Sequence, residues 1–380
     1  MTQWHLACSA CSNTERGDAR ATVCPRCGQP YLVRYDTVFP SRDAIRTRWD
    51  MWRYAAVLPL GEFETPVSLG EGLTPIHDVP ALAESLGVAG VWVKDEGINP
   101  TGSFKARGMS AAVTRARGLN VAGLVAPTAG NAGAALAAYG AAAGIPVRVY
   151  APRTTPPVIL STIAALGAEL ELVDGHIGDA GRLARSFAAE HDWFDMSTLR
   201  EPYRIEGKKT MGIEIVEQLG WRLPTHIVYP TGGGTGLIGM WKVFHEMCDA
   251  GWLADAALPR MIVAQADGCA PIVRAWQAGA DHAEPWANPV THASGLRVPG
   301  PLGDRLILRA LRESGGRAAS VSEAAIRSAT HRLAVLTGID AAPEGGCALA
   351  VAESLAADGH LPSDAEVVLF NTGSGASYRS

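Results

Sequence analysis

From Val91 onward the chain alternates short apolar runs with helical segments, and that rhythm leaves few folds open. The runs VWV at 91–93, VAGLVAP at 121–127, IPVRVYAP at 145–152 and AELELVDG at 168–175 read as strands. Between them the pattern predicts helices over Phe104–Arg117, Asn131–Ala143 and Val158–Leu166. A polar stretch, WFDMSTLREPYRIEGKK, interrupts the rhythm. It resumes with a helix over Gly207–Leu219, a strand at THIVYP, a glycine turn opening a helix at GGTGLIGMWKVFHEM and a strand at RMIVAQAD. A last helix over Gly346–Asp358 leads into the strand and turn EVVLFNTGSG. Strands alternating with helices build mostly parallel sheets covered by helices. The polar break suits a segment crossing a cleft, so two α/β domains are expected.

Composition narrows the function. With 380 residues, 47% hydrophobic and 19% charged, the chain can bury a large core without disulfides. A net charge of -5 supplies no basic field for a nucleic-acid backbone, so none is expected as a partner. The uncharged stretch from Asn120 to Val147 is broken by Pro127, Pro146 and glycines, which predicts strand, turn and helix with no membrane association. The N-terminus has no basic segment followed by an apolar one, so a cytoplasmic location is expected. FPSRDAIRTRWDMWRYAAVLPL, residues 39–60, predicts a helix whose Trp49, Trp52 and Tyr54 pack in the core or at an interface.

Four of the seven cysteines follow a C-x2-C, twelve residues, C-x2-C spacing: Cys8, Cys11, Cys24 and Cys27. Two such knuckles joined by a hairpin can hold four sulfurs tetrahedrally, which predicts a structural zinc with no open position for catalysis. An iron–sulfur centre or a redox dithiol would use the same residues. Residues 1–38 are therefore expected as a zinc-ribbon-like staple or docking surface. Cys269 and Cys347 read as packing residues and His331 and His360 as surface positions, while the roles of His292 and Glu344 stay open.

Three loops at predicted strand ends carry the chemistry: TAGNAG (128–133), TGGGTG (231–236) and NTGSG (371–375). Open α/β sheets bind ligands at the C-terminal ends of their strands. In the second loop, glycines let successive amides converge on an anion at a helix start, although a tight turn alone would use the same residues. The spacing matches neither G-x-G-x-x-G nor the P-loop, so a smaller phosphate-bearing cofactor fits better. In KDEGINPTGSFKARG (94–108), Ser103 is placed to cap a helix and Lys105 falls in its first turn, where the helix dipole opposes protonation and favours attack on an aldehyde. A lysine so placed, an asparagine loop, an anion nest and a terminal Thr-Gly turn together match the needs of pyridoxal phosphate.

LGEGLTP (69–75), KDEGINPTGSFKARG, PTAGNAG (127–133), EPYRIEGKKT (201–210), PTGGGTG (230–236), PEGG (343–346) and NTGSG span nearly the whole chain in one order. In these motifs the chain resembles the threonine synthases and their relatives among the fold-type II pyridoxal-phosphate enzymes, which include serine and threonine dehydratases and cysteate synthase. The resemblance implies a two-domain, tryptophan synthase β-like α/β fold. Residues 39–103 would begin the large domain and lead into the cleft, 104–199 form the small domain, and 200–380 form the large cofactor domain.

It also implies roles. Lys105 would carry the cofactor and act as the catalytic base, Asn131 would meet its ring oxygen, Gly232, Gly233, Gly234 and Thr235 its phosphate, and Thr372 its pyridine nitrogen. A neutral hydroxyl at that nitrogen favours elimination and replacement over transamination. Ser103, Thr128, Ser197, Arg204 and Lys209 would bind substrate, with a plain helix cap as the alternative for Thr128. The implied reaction converts O-phospho-L-homoserine and water to L-threonine and phosphate, in a homo-oligomer, most simply a dimer. The alternatives are β-elimination or β-replacement on serine, threonine or phosphoserine, and a catalytically inactive zinc-containing interaction protein. Ala106, Glu201 and Lys208 depart from the family pattern. Glu201 would repel a substrate phosphate unless Arg200 or Lys208 neutralises it.

Overall fold

The computed structural model describes residues 3–253 and 256–379. In chain order the strands are β1 (Trp4–Cys8), β2 (Thr14–Arg16), β3 (Tyr31–Tyr35), β4 (Ile76–Asp78), β5 (Gly90–Asp95), β6 (Leu124–Pro127), β7 (Val147–Pro152), β8 (Glu169–Val173), β9 (Phe194–Asp195), β10 (His226–Pro230), β11 (Arg260–Ala266), β12 (Arg317–Val321) and β13 (Glu366–Asn371). The α-helices are α1 (Pro80–Leu86), α2 (Lys105–Gly118), α3 (Asn131–Ala143), α4 (Pro157–Ala165), α5 (Ile177–His191), α6 (Tyr203–Gln218), α7 (Thr235–Asp249), α8 (Pro271–Gln277), α9 (Asp304–Glu313), α10 (Glu323–Thr337) and α11 (Pro343–Ala357).

The chain forms two compact units. The first holds residues up to 73 and 99–210, the second 74–98 and 211–378, so the chain changes unit inside α6. The expected segment 39–103 is thus shared between them.

The first unit contains an antiparallel sheet in the order β2-β1-β3 and a parallel sheet in the order β8-β7-β6-β9. Leu6, Tyr31 and Val33 of the small sheet join one apolar core with Met109, Val113, Leu124, Leu136 and Val149. The β-branched and apolar residues of β6 and β7 are buried, as parallel strands covered by helices require. Helix α3 is largely alanine and glycine, so it packs close to the strands it follows.

The second unit is built on a six-stranded sheet in the order β12-β11-β10-β13-β5-β4. All its pairings are parallel except β4 with β5. Its core gathers Val91, Val93, Val228, Ile262, Leu349, Val367 and Leu369. One charged pair is buried within this unit: Lys94 donates to Glu214 at 2.9 Å and to the Thr74 carbonyl at 2.7 Å, with both Lys94 and Glu214 fully buried. Among the described residues no helix is long and apolar enough to cross a membrane.

Two local expectations need correction. Residues 39–60 do not form a helix: they make short 3-10 turns at Arg42–Ala44 and Met51–Val57. The backbone there is tied elsewhere, with Met51 N donating to the Glu71 carbonyl at 2.7 Å and Asp50 accepting from Trp52 N. Trp52 is buried, its indole N–H donating to Ser110 Oγ, and Tyr54 is buried too, whereas Trp49 is 88% exposed. The polar stretch 193–209 is not all loop: α6 begins at Tyr203, and its first residues are buried. Helices α5, α9 and α10 and strand β12 complete the alternation where the sequence reading assigned no element.

Candidate active site

Strands β10 and β13 are parallel neighbours, so the turns leaving their C-terminal ends open on the same edge of the second unit's sheet. The turn after β10 is the glycine run. Thr231 N donates to the Ala264 carbonyl at 2.9 Å and the Thr231 carbonyl accepts from Gln265, which pins the start of the loop. Gly234, at φ +72°, is the residue before α7 and makes no side-chain cap. A Cβ at Gly232 would lie 2.2 Å from the Gly295 carbonyl oxygen, so only glycine lets the backbone run there. Thr235 starts α7 and is buried. A helix start without a side-chain cap, approached through glycines, fits the phosphate of pyridoxal phosphate.

Thr372 follows β13 and is 6% exposed, and its hydroxyl makes no hydrogen bond among the described residues. Its turn is held by Asn371, which sequence reasoning missed. The Asn371 amide donates to Asp95 at 2.8 Å and its oxygen accepts from Ala342 N at 3.2 Å. The signal was present, since Asn371 heads NTGSG, but its partners lie far along the chain. Glu344, left open above, is buried and accepts from Gly295 N at 2.7 Å, so it fixes the residue whose carbonyl crowds Gly232.

In the first unit, Thr101 and Gly102 both take positive φ and turn the chain into α2. Ser103 is not the cap of that helix. It is extended, α2 starts at Lys105 after Phe104, and the Ala106 amide reaches the Ser103 carbonyl, not its hydroxyl. The Ser103 hydroxyl is fully buried with no hydrogen-bond partner among the described residues. An orphaned donor of that kind costs about 1–3 kcal/mol unless a ligand meets it. Lys105 lies in the first turn of α2 as expected, half-buried, with its Nζ 3.9 Å from the centre of the Phe104 ring.

Strands β6 and β9 are parallel neighbours, and the residues after them carry the other candidates. Thr128 is spent on its own loop: its hydroxyl donates to the Gly130 carbonyl at 2.6 Å and accepts from Gly133 N at 3.0 Å. That is the plain capping role. Asn131 opens α3 half-buried, and its side-chain amide has no hydrogen bond among the described residues. Ser197 is likewise committed, its amide and hydroxyl both donating to Asp195 Oδ1. A hydroxyl has one proton to donate, and in this arrangement that of Ser197 goes to Asp195.

Arg204 is 2% exposed. Its Nη1 donates to the Met196 carbonyl at 2.9 Å, while Nε and Nη2 have no hydrogen-bond partner among the described residues. Glu201 caps α6, accepting from Tyr203 N at 2.7 Å and Arg204 N at 3.0 Å. Burial pushes its carboxyl up to about 8 against the pull of Arg204, the two amides and Lys208. The expected repulsion between Glu201 and an anion is thereby relieved by burial as well as by cations.

Lys209, expected to bind substrate, is engaged within the fold. It is fully buried, paired with Glu206 at 2.8 Å and bonded to the Tyr35 hydroxyl at 2.9 Å, so it ties α6 to β3. At the N-terminus, the sulfurs of Cys8, Cys11, Cys24 and Cys27 all lie within 4.8 Å of one another. Cys269 and Cys347 are buried, and His331 and His360 are exposed, as expected.

The chain belongs to the family of pyridoxal-phosphate-dependent enzymes, whose profile matches residues 67–373. Within that family it is similar to threonine synthases. That of Methanosarcina acetivorans is 36% identical over 97% of this chain and 91% of its own length. That of Methanocaldococcus jannaschii is 34% identical over the same shares. Two solved structures share the fold. The processed form of threonine deaminase isoform 2 from Solanum lycopersicum is 21% identical with a TM-score of 0.66, covering 79% of this chain and 79% of its own. Diaminopropionate ammonia lyase from Escherichia coli is 21% identical with a TM-score of 0.69, over 84% of this chain and 94% of its own.

Proposed function

We propose that the protein converts O-phospho-L-homoserine and water to L-threonine and phosphate. The observation that carries this reading is the match to a threonine synthase over 97% of the chain, N-terminal segment included. A buried arginine supports it, with Nη2 lacking a hydrogen-bond partner among the described residues and Nε 3.8 Å from Glu201, because a dehydratase acting on serine or threonine has no phosphate to place there.

Pyridoxal phosphate, when bound, supplies the electron sink that makes the substrate's Cα–H bond acidic. In this reading Lys105 holds the cofactor and its Nζ takes the proton from the substrate's Cα and returns it later. The amides of Gly232, Gly233, Gly234 and Thr235 bind the cofactor phosphate, Asn131 donates to the ring oxygen, and the Thr372 hydroxyl faces the pyridine nitrogen as a neutral partner. The Thr128–Asn131 loop presents backbone amides to the substrate carboxylate. Ser103 donates its hydroxyl to substrate, and Arg204 receives the phosphate that leaves Cγ.

The four cysteines hold a structural zinc in this proposal, and residues 1–38 act as its ribbon. Residues 104–199 serve as the small domain and 200–380 as the large one, in a cytoplasmic homodimer. Cofactor-loaded protein given O-phospho-L-homoserine is expected to release phosphate and form L-threonine in equal amounts. No release from that ester, with ketoacid formed from L-serine or L-threonine, would assign the β-elimination alternative instead.

A further inference from the structure

We propose that the cavity between α5, the start of β9 and the segment following β2 binds a small organic carboxylate with an apolar body. The site belongs to the first unit and does not depend on the reaction assigned above.

The cavity measures about 300 Å³, at the lower end of the range for small-molecule sites. Val121, Ala188, Trp193 and Phe194 supply its apolar lining, and Arg185 and Arg200 line it as cations. Val121 and Trp193 precede the parallel neighbours β6 and β9, whereas Thr128, Asn131 and Ser197 follow those strands. The apolar lining therefore lies toward the strand edge opposite the one that carries the candidates for catalysis.

That lining is already in place. A Cβ on Gly123 would lie 2.3 Å from the Trp193 indole, so the ring lies directly over that glycine. The Phe187 ring braces it edge-on, with centroids 5.1 Å apart. An aromatic wall held from two sides has little freedom left to lose when a ligand arrives.

Charge selects the ligand. Arg20 is spent within the fold: it donates to the Leu119 carbonyl at 3.1 Å, to the Asn120 carbonyl at 2.8 Å and to Asp192 at 3.1 Å, which neutralises that carboxylate. Asp195 Oδ1 accepts from the Ser197 amide and hydroxyl. Arg185 and Arg200 make no side-chain hydrogen bond or ion pair among the described residues. Burial holds the Arg185 guanidinium below the ordinary arginine value, and repulsion from Arg200 and Arg182 adds to this against the pull of Asp195. A Cβ on Gly181 would lie 3.2 Å from Arg185 Nη1, so the guanidinium folds back along α5 over that glycine.

With Arg20 and Asp192 cancelling, the lining holds two cations, Arg185 and Arg200, against the single carboxylate of Asp195. One further carboxylate balances that sum, and its two oxygens match the planar fork of an arginine. A phosphate dianion would leave excess negative charge facing Asp195. The apolar lining asks for a carbon skeleton beside the charge.

The test is isothermal titration of the cofactor-loaded enzyme with benzoate and with isovalerate, beside benzyl alcohol as the uncharged control. At least one carboxylate is expected to bind saturably, at least ~10-fold more tightly than the alcohol. Arg185→Gln is expected to raise its Kd at least ~10-fold, and Arg185→Lys, which keeps the charge without the fork, at least ~3-fold. Ala188→Leu fills the apolar side with both arginines intact and is expected to weaken binding by a similar ~10-fold. Arg185 is only half-buried on α5, so its substitution keeps the test open should the leucine variant fold poorly. No saturable binding of either carboxylate, or an affinity that Arg185→Gln leaves unchanged, would overturn the proposal. The titration does not depend on turnover: an enzyme that forms no threonine but binds benzoate through Arg185 would refute the reaction assigned above and leave this site standing.

Discussion

In the proposed function the glycine turn before α7 and the charged cluster on α6 hold anions by opposite means. The turn uses backbone: no side chain caps α7, and Gly232 cannot bear even a Cβ. The cluster uses side chains, and each must be oriented and desolvated by its surroundings: Glu201 by two amides, Arg204 by the Met196 carbonyl, Lys208 by Phe104. A backbone cradle costs little to preorganise and takes any phosphate, whereas a buried charged cluster is expensive and therefore selective. The proposed function gives the first to a resident cofactor and the second to a substrate that must be told from its unphosphorylated relatives.

The largest effect expected from that contrast is at Arg204. Arg204→Lys keeps the charge but loses the planar fork, and KM for the phosphorylated substrate is expected to rise on the order of 30-fold or more. Cofactor affinity, read by dialysis and absorbance, is expected to stay near that of the parent. A fall in cofactor affinity equal to the rise in KM would erase the distinction between the two regions.

A smaller effect of the opposite kind is expected from Gly232→Ala. The added methyl meets the Gly295 carbonyl and the loop has to shift, at about 1–2 kcal/mol, or roughly 10-fold in cofactor Kd. KM measured at saturating cofactor is expected to change little.

The smallest effect is the pH dependence of stability at Glu201. Its folded carboxyl sits at about 8, above the ordinary 4.5, so the folded chain keeps a proton that the unfolded chain releases. The stabilisation is whole below about pH 4.5 and is lost as the pH rises toward 8, with Arg204 and Lys208 as the facing charges. Glu201→Gln removes this dependence while keeping an acceptor for the helix cap. Its Tm is therefore expected to fall less than that of the parent between pH 5 and pH 9. A parallel decline in both proteins would place the Glu201 pKa in the ordinary range.

These two regions also differ in how far they could be read from the chain. Glycines at 232, 233 and 234 between a strand and a helix announce a backbone cradle, because the residue type itself is the device. The place of Lys105 in a helix's first turn was legible as well. The contacts of Lys209 and Ser197 were not legible because a motif names residues and not their partners. Tyr35, 174 positions away, occupies Lys209, and Asp195 occupies Ser197. Which face of α6 meets α2 was not legible either, since it depends on Gly207 lying against the Arg107 backbone and Gly108 against Lys208 and Arg204. The fold was legible wherever strands were continuous apolar runs. Residues 39–60 failed because their apolar and aromatic content suggested a helix while their backbone bonds go to Glu71 and Asp50.

The central claim is that Lys105 carries the cofactor, and a neighbouring amine offers a clear competitor. Borohydride reduction of the pyridoxal-phosphate-loaded protein, followed by peptide mass mapping, is expected to leave the label on Lys105 and on no other lysine. Label on Lys208 with Lys105 unmodified would contradict the account.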